Sequence, residues 1–127
     1  MRSFISIVLS LLVAAAAFAT ASSPFFHLEL TNKDGKIHVV GKNTSHSPLM
    51  AYVVVAERGH MRTVWKGNYT QDSALGVDKT VNVGELALES TSEQAHVSVD
   101  YVRFADGTAW GVAATDEAKA IAASYQK

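Results

Sequence analysis

Apolar and polar residues alternate with a period of two along much of this chain. The alternation is clear over residues 26–31, stops at the turn-forming segment 32–35, and resumes over residues 37–41. Because successive side chains of a β-strand point to opposite faces, each alternating segment is typical of a strand with one buried face. Gly35 can adopt the positive φ that a tight turn requires. The pattern therefore predicts a β-hairpin over residues 26–41.

Residues 49–56 are mostly apolar at both phases of the alternation and are rich in valine. Such a run predicts a central strand that is covered on both faces. Weaker patterns predict short edge strands over residues 61–66 and 68–71. A further strand is predicted over residues 77–83, with Gly84 at its end.

The strand that begins at Val97 is apolar on both faces near its end. Strict alternation places Val97, Val99 and Tyr101 on one face. It places Val102 and Phe104 on the other face. This pattern again favours a strand in the middle of a sandwich.

Asp106-Gly107 lies between two segments rich in β-forming residues and is typical of a two-residue hairpin turn. That turn length puts Arg103 opposite Trp110 on one face of the hairpin. We therefore expect the guanidinium of Arg103 to stack on the ring of Trp110.

The last part of the chain has a helical pattern. Thr115 is a typical N-cap residue, and the acidic side chains of Asp116 and Glu117 suit the positive end of a helix. The apolar residues that follow recur at helical spacing on one face. We expect a short helix over residues 116–125.

The N-terminus has the three parts of a secretory signal. Arg2 supplies a positive charge, residues 4–18 are apolar apart from two serines, and Ala19-Thr20-Ala21 offers the small residues that signal peptidase reads. This layout predicts a signal peptide over residues 1–21, helical and outside the fold, with cleavage after Ala19 or Ala21. Because the apolar segment is shorter than the roughly 20 residues that span a bilayer, cleavage is favoured over retention as a membrane anchor. We expect an exported protein, either periplasmic or secreted.

Composition limits the possible functions of the mature chain. Removing 21 of the 127 residues leaves 106, which suits a single domain over residues 22–127. The chain has no cysteine, which excludes disulfides, thiol catalysis and thiolate metal sites. The 11 Lys and Arg nearly balance the 12 Asp and Glu, and no basic run exists, so nucleic acid is not an expected partner.

About seven turn-punctuated strands in roughly 100 residues predict an all-β fold, an antiparallel two-sheet β-sandwich with a short C-terminal helix. A small barrel is the alternative. Two segments of the chain resemble parts of immunoglobulin-like and fibronectin type III-like domains, as in small exported bacterial proteins. The first is residues 43–57, with a polar loop, Pro48 and an apolar strand. The second is residues 101–111, with the hairpin turn and Trp110. The chain departs from antibody domains because it has no cysteine pair. The resemblance implies an interaction or structural module.

The sequence contains no catalytic constellation. No Gly-x-Ser-x-Gly turn positions a serine nucleophile, and no glycine-rich loop could hold phosphates. We therefore expect a non-catalytic protein without a cofactor. Exposed aromatic side chains on a sandwich stack on sugar rings or anchor a partner protein. Trp65, Tyr69 and Trp110 are the predicted contacts to a protein or glycan partner, unless they cover the core.

The alternative function is binding of copper or zinc outside the cytoplasm. His27 and His38 lie on the polar phase of the predicted hairpin, and His60-Met61 joins an imidazole to a thioether, which suits copper. These four residues are the predicted ligands of such a site. An enzyme is the third hypothesis. Clustering of the histidines in the folded chain would favour the metal site.

Overall fold

The computed structural model describes residues 18–21, 23–87 and 95–125. Residues 1–17, which hold most of the predicted signal peptide, lie outside the described residues. Within the described residues there are eight strands and one helix. These are β1 (Phe18–Ala21), β2 (Phe26–Lys33), β3 (Lys36–Asn43), β4 (Leu49–Arg58), β5 (Met61–Asn68), β6 (Thr80–Ala87), β7 (Ala95–Phe104), β8 (Ala109–Trp110) and α1 (Asp116–Ser124).

Seven of these strands form two antiparallel sheets. One sheet has the order β2-β3-β6, and the other has the order β8-β7-β4-β5. A main core of buried side chains from both sheets fills the space between them. The predicted all-β, two-sheet sandwich of about seven strands is confirmed. The eighth strand, β1, pairs in parallel with β7 on the same outer edge that β8 occupies further along. The prediction that the signal segment is helical and outside the fold is therefore wrong for residues 18–21, because the free edge of β7 pairs with them as a strand.

The first hairpin folds as its sequence predicts. Strands β2 and β3 pair from Phe26↔Asn43 to Lys33↔Lys36, which leaves a two-residue turn. Asp34 and Gly35 both have positive φ, 55° and 71°, the requirement of a type I′ turn. This turn matches the right-handed twist of the two strands, so the short connection fixes their register.

Both faces of β4 are covered, as its uninterrupted apolar sequence predicts. Tyr52 and Val54 face the main core between the sheets. Ala51 and Val53 face the opposite side, where they pack against α1. The helix therefore covers part of the outer face of the four-stranded sheet, and the predicted N-cap, Thr115, accepts a hydrogen bond from the backbone of Ala118 at 3.0 Å.

A bulge in β7 changes which face its residues occupy. Opposite β4, Val99 pairs with Val54 and Tyr101 pairs with Val53, so Asp100 is an extra residue in the ladder. Val99 and Val102 consequently both face the main core, while Tyr101 faces α1. The prediction that Tyr101 shares a face with Val99, opposite to Val102, is wrong because an inserted residue reverses the alternation beyond it.

The hairpin of β7 and β8 also differs from the prediction. The Phe104 N–H donates to the Thr108 carbonyl at 2.9 Å, which encloses a three-residue loop ending at Gly107 with a φ of 92°. The register shifts by one residue, so Trp110 lies opposite Val102 rather than Arg103. The predicted stacking of Arg103 on Trp110 is therefore wrong. Its guanidinium lies 4.6 Å from the ring centre of Tyr125 instead.

Two predicted strand boundaries need correction. Residues 61–66 and 68–71 were each expected to form a short strand, but β5 is one continuous strand that ends at Asn68. The strand expected over residues 77–83 begins at Thr80 instead, because Asp78 has a φ of 64° and cannot belong to an extended strand. Gly84 lies inside β6 and does not end it.

The helix expected over residues 116–125 is confirmed as α1 (Asp116–Ser124). Ala118 and Ile121 are its buried residues, in agreement with the predicted apolar stripe. Over the part of the chain that the structure describes, no helix is long and apolar enough to cross a membrane.

Candidate functional site

Trp65 closes one open side of the sandwich. It lies on β5, the edge strand of one sheet, and its indole rests on the backbone of Gly84 in β6, the edge strand of the other. A Cβ atom added at Gly84 would lie 2.3 Å from Cε2 of the indole, so only glycine leaves room for the ring. Trp65, which the sequence predicts as a contact to a partner, is partly buried against the main core. Its indole therefore contributes to packing between the two sheets.

Tyr69 belongs to a column of aromatic rings in the core. The ring of Tyr52 lies 5.5 Å from that of Phe26 and 6.3 Å from that of Tyr69, measured between centroids. Burial, with the neighbouring Tyr69 hydroxyl, raises the pKa of Tyr52 to about 12. Burial also raises the pKa of Tyr69. Both phenols stay neutral at physiological pH and contribute to packing.

Trp110 lies at the opposite edge of the four-stranded sheet from Trp65. It is on β8, whereas Trp65 is on β5, and these are the two ends of the strand order β8-β7-β4-β5. Trp110 is partly buried against the main core. The structure therefore does not bring the three predicted contact residues, Trp65, Tyr69 and Trp110, to one surface.

The predicted metal ligands are also separated. His27 pairs with Lys42 and His38 pairs with Thr31, so the two histidines are four ladder positions apart, about 13 Å along the strands. Each lies near a carboxylate, His27 near Glu29 at 3.9 Å and His38 near Glu85 at 3.5 Å.

His60 and Met61 lie at the turn between β4 and β5, at the end of the sandwich opposite to the start of β2 that carries His27. In the described parts of the chain, no group of three His, Asp or Glu side chains is placed to hold a metal ion. The geometry therefore gives no support to a site made of His27, His38, His60 and Met61.

A different surface gathers chemically distinct groups at one end of the sandwich. We call it the loop end and define it as residues 23–25, 44–48 and 105–108. A depression of about 180 Å³ opens there. Its lining includes Phe25, His46, Ser47, Phe104, Asp106 and Thr108.

The N-terminal part of the loop end is held by local hydrogen bonds. The Ser23 hydroxyl accepts from the backbone N–H groups of Phe25 and Phe26, at 2.9 and 2.8 Å. The Thr44 N–H donates to the Phe25 carbonyl at 3.0 Å, and the Thr44 hydroxyl donates to the Pro24 carbonyl at 3.2 Å. The segment before β2 is therefore fixed to the loop between β3 and β4.

The loop between β7 and β8 is tied to the same loop. The Asp106 N–H donates to the Ser47 hydroxyl at 3.0 Å, and the Ala105 N–H donates to the Pro48 carbonyl at 2.8 Å. Segments that are distant in the sequence thus form one hydrogen-bonded unit. Such a unit loses little conformational entropy when it binds another molecule.

Asn43, the last residue of β3, holds the loop end in place through buried hydrogen bonds. Its side chain is fully buried, and its amide donates to the carbonyls of Ser47 and Leu75 at 3.0 Å and of Gly76 at 3.3 Å. Its carbonyl oxygen accepts from the backbone N–H and the hydroxyl of Ser45. The residue uses its full hydrogen-bonding capacity to fix two loops at the end of β3.

Phe25 presents the apolar part of the surface. Phe25 is 42% exposed, whereas most large apolar residues in the part of the chain that the structure describes are buried. It contacts the buried ring of Phe104 edge-on, with centroids 6.1 Å apart. The ring is thus held in place from one side and open to solvent on the other.

Asp106 supplies a fixed negative charge to the depression that Phe25 also lines. The Thr108 hydroxyl and N–H donate to its Oδ1 atom at 2.6 and 3.0 Å. These bonds lower the pKa of Asp106, so the carboxylate is ionised at neutral pH. With the exposed side chain of His46, the loop end combines a phenyl ring, a fixed anion and an imidazole.

This surface is not visible in the sequence, because Phe25, His46 and Asp106 are far apart along the chain. The dipeptide Asp106-Gly107 indicates only a turn, and no pattern in the sequence singles out Phe25. Scans against protein-family models, curated proteins and solved structures find no match to this chain. The arrangement of fixed loops around an exposed aromatic ring is suited to non-covalent recognition.

Proposed function

We propose that this chain is an exported, non-catalytic binding module that contacts a protein partner through the loop end. The observation that carries the proposal is the exposed Phe25 ring, supported by Phe104 and surrounded by loops that are hydrogen-bonded to one another. An apolar anchor in a rigid setting with a polar rim is the common composition of a protein-binding surface.

The proposed module is of the immunoglobulin-like or fibronectin type III-like class. The strand order β2-β3-β6 opposite β8-β7-β4-β5 supports this, since it follows the arrangement of strands A, B and E facing G, F, C and C′ in such domains. In that correspondence the loop end contains the B–C and F–G loops. These loops form the binding surface of immunoglobulin variable domains.

The proposed location is the periplasm or the extracellular space. The charge at Arg2, the apolar segment 4–18 and the small residues at Ala19 and Ala21 support it. Cleavage after Ala21 would leave Ser23 in the mature chain, so the loop end would remain complete. The absence of cysteine suits a domain that depends on its core alone.

A protein partner is favoured over a glycan. Sugar rings stack on exposed faces of tryptophan and tyrosine. Trp65, Tyr69 and Trp110 are packed against the core, whereas the exposed aromatic residue of the loop end is Phe25, which has no polar group to orient a sugar. The Asp106 carboxylate, which lines the same depression, would favour a basic side chain on the partner.

Quantitative affinity capture tests the proposal. The exported protein with a C-terminal tag is compared with the variants Phe25→Ser and Val112→Ser. Val112 is 84% exposed and lies outside the loop end, so its substitution removes a similar apolar side chain elsewhere. We expect one protein to be enriched by the parent and by Val112→Ser, and reduced about tenfold with Phe25→Ser. Equal recovery with both variants would contradict the proposed surface.

A further inference from the structure

Strand β1 occupies a defined part of the outer edge of β7. It pairs in parallel, in a register from Phe18↔Ala95 to Ala21↔Ser98. The other edge of β7 is occupied along its length by β4. The four residues Ala95–Ser98 therefore have β1 as their neighbour on the outer side.

The remainder of that outer edge is filled by the C-terminal part of the chain. The Asp100 carbonyl accepts from the Ala113 N–H at 3.0 Å, and Val102 and Arg103 pair with β8. These contacts do not depend on β1. Removal of β1 would therefore open a gap of four residues, bounded at one end by the segment around Ala113.

Signal-peptide cleavage would produce this gap. The proposed cleavage after Ala21 removes all four residues of β1, and cleavage after Ala19 removes two of them. The edge of a sheet without its neighbour presents unpaired backbone N–H and C=O groups, which bind another extended chain. The processed protein would thus carry a short open edge that the precursor fills with its own signal segment.

We propose that the processed protein binds an extended segment of a partner protein at Ala95–Ser98, parallel to β7, in the place that β1 takes in the full chain. This inference rests on the proposed export and cleavage. The segment is a short strand free of proline, because each proline would remove a backbone donor. Its length is limited to about four residues, the run that β1 pairs with.

The direction of β1 distinguishes a partner protein from a second copy. Two identical edges related by a two-fold axis pair in antiparallel orientation, since the axis reverses the strand direction. The edge at Ala95–Ser98 instead accommodates a parallel strand. A different chain can enter in that direction, whereas the symmetric dimer cannot.

The test uses protein exported after expression of the full-length chain. Mass spectrometry determines its first residue, and sedimentation determines its oligomeric state. A capped peptide with the sequence of residues 18–21 is then titrated to millimolar concentration against the labelled protein. The control peptide carries Ala19→Pro and Ala21→Pro, which remove two backbone donors. Backbone NMR records chemical shifts and amide exchange.

We expect a monomer that begins at Ser22. The first peptide should shift the resonances of residues 95–98 and slow, at least tenfold, the exchange of those amides among them that are not already bonded to β4. The control peptide should do neither. No response, or a response elsewhere, would overturn the strand proposal and leave export intact. A chain that begins at or before Phe18, or a dimer with residues 95–98 already protected, would also overturn it. Failure of export would refute the proposed function as well.

Discussion

Asp100 and Thr115 are joined by two hydrogen bonds to a single carboxylate oxygen. The Thr115 N–H and hydroxyl donate to Oδ2 of Asp100 at 2.9 and 2.8 Å, and the Ala114 N–H donates to Oδ1 at 2.9 Å. Asp100 is the bulged residue of β7, and Thr115 is the N-cap of α1. The irregularity in the strand therefore positions the helix over the outer face of the sheet.

Replacement of Asp100 by alanine should destabilise the domain. Three donors, of which the two from Thr115 are buried and the one from Ala114 is partly buried, lose a charged acceptor. Bonds to charged groups contribute about 1.5–3 kcal/mol each when one partner is removed. Because the losses overlap, we expect a total decrease of about 3 kcal/mol in the free energy of unfolding, measured by urea denaturation. Asp116→Ala, an exposed acid in the first turn of α1, is the control and should cost less than about 1 kcal/mol. Equal effects would show that Asp100 does not anchor the helix.

The contribution of Asp100 should depend on pH. Burial opposes its ionisation, but the hydrogen bonds from Ala114 and Thr115, with the charge of Arg62, hold its pKa below the ordinary value of 3.8. A carboxyl group whose pKa is lower in the folded protein than in the unfolded chain stabilises the fold fully at pH values above its unfolded-state pKa. That stabilisation is lost as the pH falls through the pKa of the group in the folded protein. The stability difference between the parent and Asp100→Asn should therefore be constant from pH 7 to pH 5 and shrink below pH 4. A difference that persists unchanged at pH 2 would contradict this assignment.

Gly84→Ala should displace Trp65. The added Cβ would meet the indole at 2.3 Å, and overpacking of this kind costs about 1–3 kcal/mol. We expect a lower urea midpoint and a red shift of tryptophan fluorescence as the ring becomes exposed. Gly76→Ala is the matched control, because its Cβ would meet only the Lys79 side chain at 3.4 Å. If Gly84→Ala leaves the emission unchanged, Trp65 does not lie on β6 in solution.

Asn43→Ala should loosen the loop end. The carbonyls of Ser47, Leu75 and Gly76 would each lose the Asn43 amide and keep a second donor, from Ser45, Leu49 and Lys79 respectively. The buried Ser45 N–H would lose its acceptor, and an unsatisfied buried donor costs about 1–3 kcal/mol. We expect a decrease of about 3 kcal/mol in stability together with faster amide exchange in residues 44–48. Asn68→Ala, at an exposed position of β5, should change neither measurement. Comparable effects at the two positions would refute the role of Asn43.

The parts of the fold that depend on local sequence were predictable. Asp34 and Gly35 specify the turn of the first hairpin, and Thr115 with the acidic residues after it specifies the start of α1. The continuous apolar sequence of β4 indicated its central position, although it did not show that a helix covers one face. These features are determined by neighbouring residues, so they are visible in the sequence.

The two errors in side-chain facing and register at β7 and β8 have a common physical cause, the insertion of single residues. The bulge at Asp100 reversed the alternation beyond it, and the third loop residue before Thr108 shifted the register of Trp110. A period-two pattern contains no information about such insertions. They are stabilised by distant partners, as Asp100 is by Thr115.

The loop end was missed because its residues come together only in the fold. Phe25 precedes a strand, His46 lies in a polar loop and Asp106 lies in a turn, and no spacing connects them. Trp65, Tyr69 and Trp110 were predicted as contacts from residue type alone. In the structure all three are partly buried and packed against the core, and they do not share one surface, so the contact assignment stays a prediction.

Site-specific photo-crosslinking shows whether the loop end contacts a protein partner. Benzoylphenylalanine replaces Phe25 in one exported variant and Met61 in a second. Met61 is 69% exposed and lies at the opposite end of the sandwich, at the turn between β4 and β5. We predict that irradiation of cells captures one discrete protein with the probe in place of Phe25, and none with the probe in place of Met61. The same captured protein at both positions, or none from Phe25, would contradict the account.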